Sequence, residues 1–168
     1  MADGGSKNWS MADVSAKPVT RRIAVAGGSI RLGPEAFGLL AEGRLPKGDP
    51  LAMAEIAGIQ AAKQTPNLIP LCHPIALNRV MIHSFPRPDD EAVEVFCVAE
   101  IAERTGVEME ALTGVSVALL TIWDLVKPVN PALEITNTRL LYKAGGKRGT
   151  WIYPDGLPAE VEELIAEL

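Results

Sequence analysis

Residues 107–127, VEMEALTGVSVALLTIWDLVK, are the longest helical stretch in the sequence, and Pro128 stops it. Stepping 100° per residue puts Glu110, Thr113, Val117, Thr121 and Asp124 within about 60° of one line, so one polar stripe runs along an apolar rod. The stretch PLAMAEIAGIQAAK is also apolar almost all round, through Leu51, Met53, Ala54, Ile56, Ala57, Ile59, Ala61 and Ala62. A chain of 168 residues has little room to bury two such rods on every side. They predict a homo-oligomer whose subunits meet on these helices, an arrangement that leaves room for an active site built from two chains.

The remaining pattern supplies a sheet. PVTRRIAVAGG reads as a strand closed by Gly27 and Gly28. Pro34 opens a short helix through Leu40, ended by Gly43. Asp49 stands at an N-cap and Pro50 at the first helical position, which starts a helix that runs to Lys63 before Pro66. RVMIHSF and AVEVFCVAEI, joined by PRPDD, predict an antiparallel hairpin, and a further strand is expected from Leu133 to Tyr142. PAEVEELIAEL reads as a short amphipathic helix. This order predicts an α+β fold: a single domain over 1–168, an antiparallel sheet with helices packed on one face. Residues 1–12 read as a flexible tail and 151–168 as a C-terminal extension.

The chain is 48% hydrophobic and 22% charged, a balance that folds. Its net charge of -5 argues against nucleic acid or an anionic membrane as a general partner, so any anion site must be local. The first residues lack an apolar core, which predicts neither a signal peptide nor a membrane span, and a cytoplasmic location. Two cysteines fit a reducing compartment and are too few to hold an iron-sulfur cluster.

Several residues could carry chemistry. Lys127 lies three residues after Asp124, so the two are helical neighbours: a surface ion pair or a proton-transfer pair. Glu108 and Glu110 open the same helix, where a carboxylate is favoured by the helix dipole. Glu110 and Asp124 stand 14 residues apart, about 21 Å along a helix, too far for one small molecule to touch both in one subunit. Lys47 in PKGD, with Lys143 and Lys147 in KAGGKRG, sits beside glycines that let backbone amides approach an anion. A solvated turn explains the same pattern, and no P-loop is present, because Leu141 occupies the place of its first glycine. In NLIPLCHPIAL, Cys72 and His73 are adjacent, which suits neither zinc spacing nor a nucleophile and its base. The flanking prolines suggest a stiff loop that presents His73, or a His73 satisfied by backbone.

Three long segments in order, KGDPLAMAEIAGIQAAKQTPNLIPLCHPIAL, TGVEMEALTGVSVALLTIWDLVK and RLLYKAGGKRG, together with DVSAK near the start, resemble the MoaC family of cyclic pyranopterin monophosphate synthases over about residues 13–150. The resemblance implies a ferredoxin-like core and a hexamer, a trimer of dimers, with active sites at a subunit interface. It implies conversion of 3',8-cyclo-7,8-dihydroguanosine 5'-triphosphate, supplied by a radical SAM GTP cyclase, into cyclic pyranopterin monophosphate with release of pyrophosphate. Asp124, Lys127 and Lys47 fall at the family's catalytic positions. Leu71, Cys72, His73, Met109 and Glu110 fall at substrate-binding positions, and Glu108, Arg22, Lys143 and Lys147 at positions that line the pocket. Opening and closing a purine-derived ring needs proton transfers near neutral pH, which a desolvated Asp-Lys pair can supply. The residues call for no redox cofactor or protein-held metal, leaving a magnesium ion travelling with the triphosphate. The competing reading is a non-catalytic, oligomeric nucleotide-binding or sensor domain, in which Asp124 and Lys127 form a structural pair.

Overall fold

The computed structural model describes residues 9–168, so most of the polar stretch 1–12 lies outside the described residues. Four strands make the central sheet: β1 (Thr20–Arg31), β2 (Arg79–Arg87), β3 (Ala92–Glu103) and β4 (Glu134–Ala144). Helices α1 (Pro34–Ala41), α2 (Pro50–Lys63) and the short α3 (Thr65–Leu68) connect β1 to β2, and α4 (Glu108–Val126) connects β3 to β4. A two-residue β5 (Trp151–Ile152) and α5 (Ala159–Ala166) complete the chain. The sheet order is β2-β3-β1-β4-β5, and every pairing is antiparallel. The first four strands, in a β-α-β-β-α-β succession, make the ferredoxin-like α+β arrangement that the resemblance implied.

Local signals set the helix ends. The Asp49 carboxylate accepts from the Leu51 and Ala52 amides at 2.9 and 3.2 Å, and Pro50 occupies the first turn, so α2 begins where the cap dictates. Helices α2 and α4 cross where Gly58 meets Gly114: a Cβ on Gly58 would lie 2.9 Å from the Gly114 carbonyl oxygen. Only glycine lets the backbones approach that closely.

Two expectations need correction. β1 does not stop at Gly27 and Gly28 but runs to Arg31. A Cβ on Gly27 would strike Leu141 and Phe96, and one on Gly28 would strike Leu119, so this pair makes room for neighbours instead of turning the chain. Helices are also not confined to one face. α2 and α4 cover the face that carries Ala24, Ala26, Val95, Cys97 and Ala99, while α5 covers the other, placing Val161 and Leu164 on Ile23, Val25, Phe96, Val98 and Leu141. The alternation of side chains along β1 and β3 makes both faces apolar, and the second needs a cover of its own.

The outer side of the helix layer is the part this chain leaves open. Met53, Ile56 and Leu120 are 50%, 66% and 56% exposed, whereas Ala111, Val115, Ala118, Leu119 and Ile122 on the inner side of α4 are fully buried. Among the described residues α4 alone is long and apolar enough to cross a membrane. Its inner side is accounted for by the core it packs into.

Candidate active site

The predicted residues gather into two clusters, one at each end of α4. At its C-terminal end the Asp124 carboxylate holds two ammonium groups: Lys127 Nζ lies 2.6 Å from Oδ1, and Lys47 Nζ lies 3.1 Å from Oδ2. Lys47 also donates to the Asp124 main-chain carbonyl at 3.0 Å, so it caps the last turn as well. The turn before α2 delivers Lys47, where Gly48 takes a φ of 92°. Hydrogen bonds from Lys127 and then Lys47 hold the Asp124 carboxyl below the usual carboxylate range. The expected desolvation is not present within one chain, because the side chains of Lys47, Asp124 and Lys127 are 40%, 53% and 46% exposed. This end of α4 has its buried positions, Leu125 and Val126, on the sheet side only, and the described residues do not cover the outer side.

The other cluster surrounds the start of α4. A cavity of about 580 Å³ is lined by Lys17, Arg22, Arg104, Lys143, Lys147 and Arg148, with Glu108 as its carboxylate. A smaller cavity of about 120 Å³ is lined by Cys72, His73, Ile75, Met109 and Glu110. Thr105, Gly106 and Glu108 line both, so the loop into α4 forms their common wall. Leu71 lies beside the smaller cavity in sequence but outside its lining, with its side chain exposed. His73 Nε2 lies 2.9 Å from the Ala12 carbonyl, which requires the proton on that nitrogen and ties the loop to the chain's amino end. Cys72 is half-buried in this loop while Cys97 is buried in the core, its thiol pushed up to about 12 by burial, so the two cysteines share no site.

The two glutamates of the first turn have opposite surroundings. Burial pushes the Glu108 carboxyl up, but the Lys143 ammonium 2.9 Å away and the Arg22 charge outweigh it, and the net shift is down. Burial pushes Glu110 up, and the Glu108 charge adds to that. Two carboxyls within one turn are thus shifted in opposite directions, Glu108 down by its cations and Glu110 up by burial. The stripe from Glu110 to Asp124 is therefore not one site: Glu110 and Thr113 are buried, Thr121 donates to the Val117 carbonyl, and Asp124 faces outward.

Glu108 should also register in acid unfolding. Its lowered carboxyl contributes stability that is present at neutral pH and lost as pH falls through the lowered value. Glu108→Gln should cost about 1 kcal/mol at neutral pH and converge with the unaltered protein in acid, as read by urea unfolding across pH.

The pocket also contains residues the sequence reading did not single out: Lys17, Thr20, Arg104, Thr105 and Arg148. Arg104 gave the best signal, since a cation just before a helix start is disfavoured by the dipole unless an anion joins it.

The chain matches the family model described as "MoaC family" over residues 11–146. The chain belongs to the MoaC family. It is 50% identical over 144 residues to the cyclic pyranopterin monophosphate synthase of Rhodospirillum rubrum, covering 86% of this chain and 87% of that protein. It is similarly 50% identical over 141 residues to the protein of that name from Thermomicrobium roseum, covering 84% and 85%. The synthase of Chloroflexus aurantiacus is 47% identical over 144 residues, covering 86% and 88%. Both clusters of this MoaC-family chain, apart from Lys147 and Arg148 just beyond its end, lie inside the matched stretch.

Proposed function

We propose that the chain is a cyclic pyranopterin monophosphate synthase of molybdenum cofactor biosynthesis, a lyase that converts 3',8-cyclo-7,8-dihydroguanosine 5'-triphosphate to cyclic pyranopterin monophosphate and pyrophosphate. The observation that carries the reading is a pocket with six cationic side chains in a MoaC-family chain of net charge -5. A triphosphate is the part of this substrate that calls for such a concentration of cations.

In this reading Lys17, Arg22, Arg104, Lys143, Lys147 and Arg148 grip the phosphates. Arg22 Nε and Thr20 Oγ1 are buried without a hydrogen-bond partner among the described residues, and a phosphate oxygen would satisfy both. Closing the cyclic phosphate forms a bond from a substrate hydroxyl oxygen to the α-phosphorus and breaks the bond to the leaving pyrophosphate. Fixed cations stabilise the charge that grows on that leaving group. The purine-derived end lies along Leu71, Cys72, His73, Met109 and Glu110. Magnesium travels with the triphosphate as part of the substrate, and no other cofactor enters.

Asp124, Lys127 and Lys47 carry the proton transfers. They stand about 21 Å along α4 from Glu110, so a complete site takes its two ends from two copies of the chain. The exposed Met53, Ile56 and Leu120 give those copies an apolar surface on which to meet. The resulting assembly is a hexamer, a trimer of dimers, in a cytoplasmic single-domain enzyme fed by a radical SAM GTP cyclase. The test is the reaction itself. Purified protein given the cyclic dihydroguanosine triphosphate is expected to release pyrophosphate and form the pterin. Binding without turnover would favour the non-catalytic sensor reading.

A further inference from the structure

The segment after residue 146 lies beyond the family match, yet its first residues line the basic pocket. The turn at Gly145–Gly149 lines that pocket and carries Lys147 and Arg148. Gly145, Gly146 and Gly149 adopt φ values of 100°, 72° and 64°, a conformation with little steric restraint of its own. The turn lies directly on β1: a Cβ on Gly145 would strike the Arg21 carbonyl oxygen, and one on Gly146 would strike the Arg22 guanidinium.

The residues C-terminal to the turn fix it in place. Trp151 pairs with Lys143 and Ile152 with Tyr142, and the Tyr153 amide donates to the Leu141 carbonyl at 2.8 Å. The chain then crosses the second face of the sheet as α5, where Val161 and Leu164 pack on Ile23, Val25 and Leu141. Glu160 pairs with Arg87 at 2.5 Å. At the end, the Leu168 carbonyl accepts from Arg21 Nη2 at 2.7 Å, which ties the chain's last residue to β1 on the face that α5 covers.

We propose that β5 and α5 form a positioning element for the phosphate-binding turn, holding Lys143, Lys147 and Arg148 in the geometry that receives a polyphosphate. Leu164 and Ile165 are positioning residues in this scheme, since they touch sheet and not substrate. A glycine-rich turn left to itself would have to be ordered when ligand binds, and that ordering would subtract from affinity. Docking α5 settles the cost during folding. This inference rests on the reading of the basic pocket as the triphosphate site.

The test uses the full-length chain, with inorganic triphosphate as the probe, titrated by calorimetry. Leu164→Ala is expected to weaken binding about tenfold, and the milder Ile165→Ala about threefold. With the true substrate, KM should rise in parallel while kcat stays within about twofold, because Asp124 and its lysines stand at the far end of α4. If Leu164→Ala does not fold, Ile165→Ala carries the test. Folded variants that melt earlier but bind inorganic triphosphate as tightly as the unaltered chain would overturn the inference and leave the pocket reading standing. Failure of the unaltered chain to bind the probe would overturn the pocket reading and the inference with it.

Discussion

Exchanging Asp124 for asparagine is expected to lower kcat for pyrophosphate release by about a hundredfold to ten-thousandfold and to change the substrate dissociation constant by less than about threefold. The carboxylate at this position is shared by Lys127 at 2.6 Å and Lys47 at 3.1 Å, and these bonds hold its carboxyl below the usual carboxylate range. Asparagine preserves the shape and the hydrogen-bonding oxygen but removes the charge. It can neither take a proton nor hold two ammonium groups at fixed positions. The phosphate grip lies at the other end of α4, so binding should survive. Lys127→Ala and Lys47→Ala each leave one ammonium on Asp124 and should cost less than the aspartate exchange. The pH profile adds a check, since a reaction that needs Asp124 ionised keeps its acid limb below the usual carboxylate range. A variant that turns over at the normal rate would make the trio an ordinary exposed ion cluster, and chemistry would have to be sought at Glu108 and Glu110.

Much of this fold was legible because its signals are local. Asp49 and Pro50 start α2, Pro128 stands just past the end of α4, and the apolar runs of β2 and β3 on either side of PRPDD mark a hairpin within one stretch of chain. The features that were not legible depend on packing between distant segments. Gly27 and Gly28 look like a strand terminator in sequence, and only Leu141, Phe96 and Leu119 reveal them as room for neighbours. β5 is too short to carry a period, and it exists because β4 offers it an edge. The basic pocket is the clearest case. Arg22 pairs with Ile101 near the end of β3, and Ile23 pairs with Ala144 at the end of β4, so sheet register brings Arg22, Arg104 and Lys143 to one corner. A residue-by-residue reading saw Lys143 and Lys147 as one turn and had no route to Lys17, which shares the cavity with them. The resemblance supplied Arg22 where the pattern did not. The C-terminal helix was visible as an amphipathic run, but its face of the sheet was not, since nothing in its own period says which apolar surface it will cover.

Two inactive variants mixed together are expected to recover activity. Asp124→Asn damages the C-terminal end of α4, and Arg22→Ala damages the basic pocket at the other end. If each site is completed by two copies, a mixed pair contains one site that carries both lesions and one that carries neither. Random assortment makes half of the pairs mixed and leaves one of their two sites intact, so an equal mixture should reach about a quarter of the unaltered rate. The variants must be coexpressed or refolded together, because assembled copies exchange slowly when the apolar faces of Met53, Ile56 and Leu120 are joined. A mixture that gives only the sum of the two residual rates would place both ends of the site within a single chain. That outcome would require the roughly 21 Å along α4 to be closed by movement of Lys47 or of the turn at Gly145–Gly149, and the pairing of β5 with β4 just beyond the turn opposes such movement. Recovery is therefore the result expected of a site shared between copies, and its size reports how many sites each pair completes.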